Sequence, residues 1–295
     1  MKKILFILVY YISISLIEKS AYASDELRHY YMTPKNLAMG GVGTAVSDDW
    51  TAIFWNPGLI GKKTGIELRP FALSLEVGES VFRNYKDFSG TSKDVSTTIK
   101  KIMNKDITLY PAMVSAIYLP YMGFAYFYNY NGVFDAENPA YPKFDIGVWN
   151  DSGFKFSFGI PIVETNNFGL RIGAGATYIT RTGVRGDYDL LKIVNYNEVT
   201  DKIQNSKGKG IGADLGLSST VSLGSGFNLE LGVSWLNVGN ITFRSINGAP
   251  PPHTEPDNLS AGMGVTYRSC LLYTSWVFIA NLAVERYIYA LRRES

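Results

Sequence analysis

The sequence predicts an all-β protein, a transmembrane antiparallel β-barrel with an N-terminal hatch segment in its lumen. Three observations carry that expectation: an export signal at the N-terminus, apolar residues at every second position through most of the chain, and small residues between them.

The chain opens MKKILFILVYYISISLIEKSAYAS. Lys2 and Lys3, an apolar run from Ile4 to Ile17 and then Ala21-Tyr22-Ala23 stand in the order of a secretory signal peptide. Residues 1–23 are therefore expected to be removed by cleavage near Ala23. The apolar run is shorter than the roughly 20 residues that a spanning helix needs. The 295-residue chain has a formal net charge of +2, charged residues at 18% and no block of like charge, so no nucleic-acid partner is expected. The single cysteine, Cys270, cannot form an internal disulfide. In an exported chain, 29 glycines and 14% aromatic residues point to a barrel at a membrane rather than a disulfide-stapled domain.

The wall is expected between residues 64 and 268. Ile66 to Val77 alternates with a phase slip at Pro70, the mark of a bulge. Leu109 to Leu119, Met122 to Asn131 and Phe144 to Trp149 read as further strands. Phe154, Phe156, Phe158, Ile160 and Ile162 alternate with Lys155, Ser157, Gly159 and Pro161. After Asn166-Asn167, Phe168 to Tyr178 repeats the pattern. Ile211 to Leu223 and Leu229 to Trp235 flank the tight Gly224-Ser225-Gly226, and Leu259 to Tyr267 follows. Roughly nine strands result, most of about the length that crosses a bilayer when tilted.

A soluble sandwich would carry Lys, Glu and Thr opposite the apolar row. Here that row is mainly Gly and Ser with a few charges, which suits a narrow lumen packed against something inside, with the apolar row in lipid. Tyr118, Tyr121, Tyr130, Tyr141 and Tyr178 are expected at strand ends as interfacial girdles. Connections are uneven: Asn166-Asn167 and Gly224 to Gly226 are tight, whereas Gly78 to Lys105 and Thr182 to Lys209 are long, as in outer-membrane barrels. In the long ones, Val95, Ile99, Ile102 and Met103 have helical spacing, as do Leu190, Leu191, Val194 and Val199, and short surface helices are expected there.

The stretch AMGGVGTAVSDDWTAIFWNPG, Ala38 to Gly58, is glycine-rich and lacks alternation, which makes it a poor wall strand. Residues 24–63 are expected to fold into the lumen as the hatch. Asn56-Pro57-Gly58 forms a turn, because Pro fixes φ and Asn bonds its own backbone. Asp48 and Asp49 are expected to accept backbone N–H groups or to pair with inward arginines such as Arg171. The candidate gating residues are Gly40, Gly41, Asp48, Asp49, Asn56, Pro57 and Gly58; no residue is singled out for substrate contact. Adjacent aspartates diverge in direction and no histidine or nucleophile accompanies them, so no catalytic dyad is read here. The Gly41-Val42-Gly43 run follows no strand and lacks a third glycine in register, so it is no dinucleotide fingerprint. The two histidines, His29 and His253, offer no metal set, and G-x-S-x-G, H-E-x-x-H and P-loop motifs are absent. No enzyme activity, cofactor or metal is expected.

Met39-Gly40-Gly41-Val42-Gly43, Ser47-Asp48-Asp49-Trp50-Thr51-Ala52 and Phe54-Trp55-Asn56-Pro57-Gly58-Leu59 resemble the N-terminal signature of the FadL-like outer-membrane transport proteins and their PorV-like relatives. Gly212-Ala213-Asp214-Leu215-Gly216, Leu231-Gly232-Val233 with Asn237-Val238-Gly239, and Leu259-Ser260-Ala261-Gly262-Met263-Gly264 are similar to its later hairpins, so the likeness runs from Leu37 to Arg268. Gly58 stands where the family usually has alanine, a change expected to loosen the turn. The resemblance implies a barrel of about fourteen strands in the outer membrane of a Gram-negative-type bacterium, in contact with outer-membrane lipid. It implies passive uptake of hydrophobic small molecules, long-chain fatty acids or aromatic hydrocarbons, in which the ligand binds near the outer loops, the hatch shifts and the substrate leaves through the wall. The PorV-like relatives imply an alternative, a docking role in protein secretion or surface attachment with secretion-system proteins as partners.

After Arg268 the pattern breaks, and residues 269–295 read as an atypical tail. Family members would continue with further strands, so the chain is read as truncated at its C-terminus. Cys270 to Ser275, CLLYTS, is also the translation of a transposon end used in sequencing-library preparation, and the working hypothesis is that residues 270–295 are artefactual.

Overall fold

A computed structural model describes residues 43–62, 65–83, 107–137, 143–189, 206–246, 248, 251–267 and 277–282. They lie mostly in one antiparallel sheet curled into a half-barrel. Its strands are β1 (Glu67–Val77), β2 (Ile107–Leu119), β3 (Met122–Glu137), β4 (Lys143–Glu164), β5 (Phe168–Asp189), β6 (Lys207–Gly224), β7 (Phe227–Leu236), β8 (Arg244–Ser245), β9 (Asn258–Tyr267) and β10 (Val277–Leu282). The order is β1-β2-β3-β4-β5-β6-β7-β9-β10, a meander, with the two-residue β8 paired to β6. Helical structure is confined to α1 (Ala52–Trp55), a 3-10 helix (Pro57–Lys62) and α2 (Glu79–Arg83). No described helix is long and apolar enough to cross a membrane.

The phase slip at Pro70 is a bulge. Register shifts between Arg69 and Ala72, so Pro70 and Phe71 share one place opposite Ser115, whose hydroxyl donates to the Pro70 carbonyl at 2.6 Å. A proline has no N–H to give a ladder, and a bulge is where that lack costs least.

Turn chemistry sorts the connections onto two rims. At one rim, Ser225 (φ 53) and Gly226 (φ 81) between β6 and β7 are both left-handed, the geometry of a type I′ hairpin. Tyr121 (φ 66) turns β2 into β3, and Thr165 closes the β4–β5 turn through its N–H to the Phe168 carbonyl at 2.8 Å. β1 and β2, β3 and β4, β5 and β6, and β7 and β9 are linked from their ends at the opposite rim, through 29, 5, 17 and 21 residues of sequence in turn.

Two elements differ from the sequence reading. Phe144 to Trp149 and Phe154 to Ile162 are one strand, β4, of 22 residues, matched by a β5 of 22 residues. Both are about twice the ~9–11 residues that a tilted strand needs to cross a bilayer. The intervening Asn150 to Gly153 is polar, yet it pairs continuously with β3 and β5, and Asp151 keeps the inward phase. The tail also contains a strand: β10 pairs with β9 from Val277–Thr266 to Leu282–Ala261. Backbone ladders require no alternation of side chains, so the pattern gave no sign of it.

Along β3 to β7 one face buries small, polar and a few apolar side chains, among them Ala125, Ser157, Thr177, Ser218 and Ser234. The other exposes Phe124, Phe154, Ile160, Ile172, Ile211 and Leu215. Tyr118 belongs to the buried face and so does not take the expected girdle position, while Tyr178 is exposed and lies mid-strand opposite Phe154 and Ile211. Tyr141 lies outside the described residues.

Charges on the buried face occur in pairs. Lys155 Nζ lies 2.6 Å from Asp214 Oδ2, with both side chains essentially inaccessible, and Lys62 Nζ lies 2.5 Å from Glu230 Oε1. Removing one partner of a buried pair strands the other charge, whereas replacing both with apolar groups does not. Asp214→Ala is therefore expected to lower the unfolding free energy by roughly 3–5 kcal/mol. Lys155→Met/Asp214→Asn removes both charges and keeps an acceptor for the Asn237 N–H, which Asp214 Oδ1 takes at 2.8 Å; it is expected to regain most of that loss, as read by denaturant titration of the refolded protein in detergent.

Candidate functional site

The candidate site is the segment Gly43 to Lys62 and the sheet face it covers. Locally the fold follows from turn chemistry. The Asp49 carboxylate accepts the Thr51 N–H at 2.9 Å and the Thr51 hydroxyl, which closes a turn into α1. All four residues of α1, Ala52 to Trp55, are buried. Asn56 is extended (φ −158), and Pro57 then opens the 3-10 helix, where a missing N–H is tolerated.

The Asn56 amide joins three places. Its Oδ1 accepts the Gly58 N–H at 2.8 Å, while Nδ2 donates to the Thr44 carbonyl at 2.7 Å and to the Leu217 carbonyl of β6 at 3.0 Å. One fully buried side chain thus ties the segment's start to its end and both to the wall. The wall reciprocates with hydroxyls. Ser157 of β4 donates to the Ile53 carbonyl at 3.1 Å, Ser218 of β6 to the Gly58 carbonyl at 2.9 Å, and Tyr118 of β2 to the Ile60 carbonyl at 3.1 Å. Thr44 Oγ1 lies 2.9 Å from Ser260 Oγ of β9, which in turn meets Ser234 Oγ of β7 at 3.0 Å. Strands from β2 to β9 reach the same short segment, so the face it covers is the concave one.

Close approach explains the small residues of the wall. A Cβ at Gly173 would stand 2.2 Å from the Pro57 carbonyl oxygen, and one at Gly216 would stand 2.1 Å from Asn56 Oδ1. The apolar remainder of the segment packs on the β2–β5 side: Trp50, Ile53, Phe54 and Ile60 join Val114, Phe127 and Ile179, with Phe54 edge-on to Phe127 at 6.2 Å.

Asn56, Pro57 and Gly58 therefore converge at the centre of the contact. A Cβ on Gly58 would meet the Leu217 and Ser218 backbone at 2.9 Å, so glycine here permits tighter seating instead of loosening the turn. Asp49 shapes the local turn and Asp48 is exposed. Neither pairs with Arg171, whose guanidinium donates to Glu164 Oε1 at 2.5 Å and Thr220 Oγ1 at 3.1 Å. Glu164 ends the strand hairpinned to β5, which brings it to Arg171 at the short-turn rim. Gly40 and Gly41 lie outside the described residues, as do residues 1–23, the helically spaced loop residues, His29 and Cys270.

A second cluster had no counterpart in the sequence reading. The connection 237–257 turns into the concave face from the long-loop rim, where buried Ile241 sits over Gly210 and Gly212 of β6. Arg181 of β5, 2% exposed at its side chain, holds Asp151 of β4 through Nε–Oδ1 and Nη2–Oδ2 contacts of 2.7 Å. The same guanidinium reaches Glu255 Oε2 at 2.6 Å, His253 Nε2 at 2.9 Å and the His253 carbonyl at 3.2 Å. Burial pushes the Glu255 carboxyl above its usual range; Arg181 pulls it back and Asp151 adds to the rise. Asp151 falls in the gap between two alternating runs and Arg181 beyond the end of another, and His253 and Glu255 lie far along the chain and share no motif with them.

No family model matches the chain, and no curated protein matches it.

Loss of the Asn56 amide leaves buried carbonyls without donors, each at about 1–3 kcal/mol. Asn56→Ala is expected to destabilise the seated segment by that order, and Asn56→Asp by more, since a carboxylate would face the Thr44 and Leu217 carbonyls. Acrylamide quenching of the buried Trp50 and Trp55 should rise in both variants, most in the aspartate one.

Proposed function

We propose that the protein is an outer-membrane β-barrel of FadL-like type, exported by its signal sequence, that passively admits hydrophobic small molecules, with residues 43–62 as its hatch. The observation that carries this reading is the seating of that segment: a stretch of chain lies against the concave face, held there by hydrogen bonds centred on Asn56 and by buried apolar packing.

The exposed row of Phe124, Phe154, Ile160, Ile211 and their neighbours supports placement in lipid. Soluble proteins rarely expose contiguous apolar patches of that extent, whereas barrel walls require them. Short turns at one rim and long connections at the other fit a periplasmic and an outer side. The polar outer leaflet obstructs greasy solutes, so a sheltered route across it meets a physical need. Fatty acids and aromatic hydrocarbons are the proposed substrate class.

Uptake of radiolabelled oleate by cells producing the protein tests the proposal. Uptake above the empty-vector level is expected, with a changed rate when residues 40–58 are deleted. Uptake equal to empty vector, with the protein present in the outer membrane, would overturn transport and favour the docking role in secretion.

A further inference from the structure

The upper cluster sets two carboxylates against one guanidinium. Asp151 takes Arg181 in bidentate fashion from β4, and both side chains are almost wholly buried. Glu255 joins from the connection through a single oxygen, 2.6 Å from Nη2, with its side chain 18% exposed. His253 adds no charge: an arginine N–H only donates, so the Nε2 lying 2.9 Å from Nη1 is the unprotonated ring nitrogen. At this height β6 presents Gly208 and Gly210, and Arg244 of β8 is exposed. The Phe243 and Trp149 rings flank the guanidinium at 4.9 and 5.9 Å. Arg181 and Asp151 thus cancel each other in an apolar setting, and an ionised Glu255 would be the uncompensated charge.

We propose that Glu255 is a proton-dependent catch: the docked connection holds Glu255 neutral as an acceptor for Arg181, and its ionisation loosens residues 251–257 from the wall. The sign follows from linkage. The docked form binds the proton more tightly than a released one, in which Glu255 regains its ordinary carboxylate value. Docking is then strongest below that ordinary value and weakens as pH climbs through the raised one. The connection covers the concave face on the long-loop side, so the catch controls access from that rim towards the Asn56 contact.

Hydrogen exchange of the full chain in detergent reads the catch directly. Ile241 and Glu255 exchange backbone bonds, N–H to carbonyl, at 2.8 and 3.0 Å, and their amides report the docked state. After division by intrinsic rates, the wild type is expected to show on the order of tenfold more opening at pH 8 than at pH 5, with β5 amides unchanged as the control for fold. Glu255→Gln, neutral and of the same shape, is expected to stay protected at both pH values, while His253→Gln keeps the pH response. Wild-type opening that does not rise with pH would overturn the proposal. So would a Glu255→Gln variant that opens at both pH values or retains the dependence. If that variant fails to fold, the wild-type profile alone decides.

Discussion

A length of chain that joins no sheet can lie against the inside of one only if its backbone polar groups find partners there. That constraint shapes the concave face. The Asn56 amide answers it from the segment's side, accepting from Gly58 and donating to Thr44 and Leu217. Serine hydroxyls answer it from the wall, and glycines remove the Cβ atoms that would hold the two backbones apart. The small row opposite the greasy row is thus the imprint of what it packs against.

The same face accommodates charge in pairs. Lys155 with Asp214, Lys62 with Glu230 and Arg181 with Asp151 each place a cation and a carboxylate within 2.7 Å. Two insertions meet the wall between them, residues 43–62 and the connection 237–257. The first relies on backbone-directed hydrogen bonds and aromatic packing, the second on Ile241, Phe243 and the Arg181 cluster. They are therefore held to the wall by different chemistry.

Much of this was legible because period-two alternation is a local property. The bulge at Pro70, the tight turn at Ser225-Gly226 and the division into short and long rims follow from residues adjacent in sequence. Asn56-Pro57-Gly58 was legible as a turn for the same reason, although its grip on β6 depends on a partner 161 residues away. Long-range pairing was opaque. Asp151 lies in a polar stretch that reads as a gap, yet β4 runs unbroken through it and sets Asp151 directly opposite Arg181 of β5. The pull of Glu164 on Arg171, the inward turn of Tyr118 and the pairing of β10 with β9 likewise depend on neighbours brought in by the fold.

The seating of the N-terminal segment on the inner wall is tested most directly by a cross-link between Thr44 and Ser260, whose side-chain oxygens lie 2.9 Å apart. In a Cys270→Ser background, Thr44→Cys/Ser260→Cys places two sulfurs within disulfide reach. Mild oxidation of the purified protein should join them almost completely, with the linked peptides identified by mass spectrometry. Two free thiols that both react with maleimide and form no bond would show that residues 43–62 do not occupy the concave face.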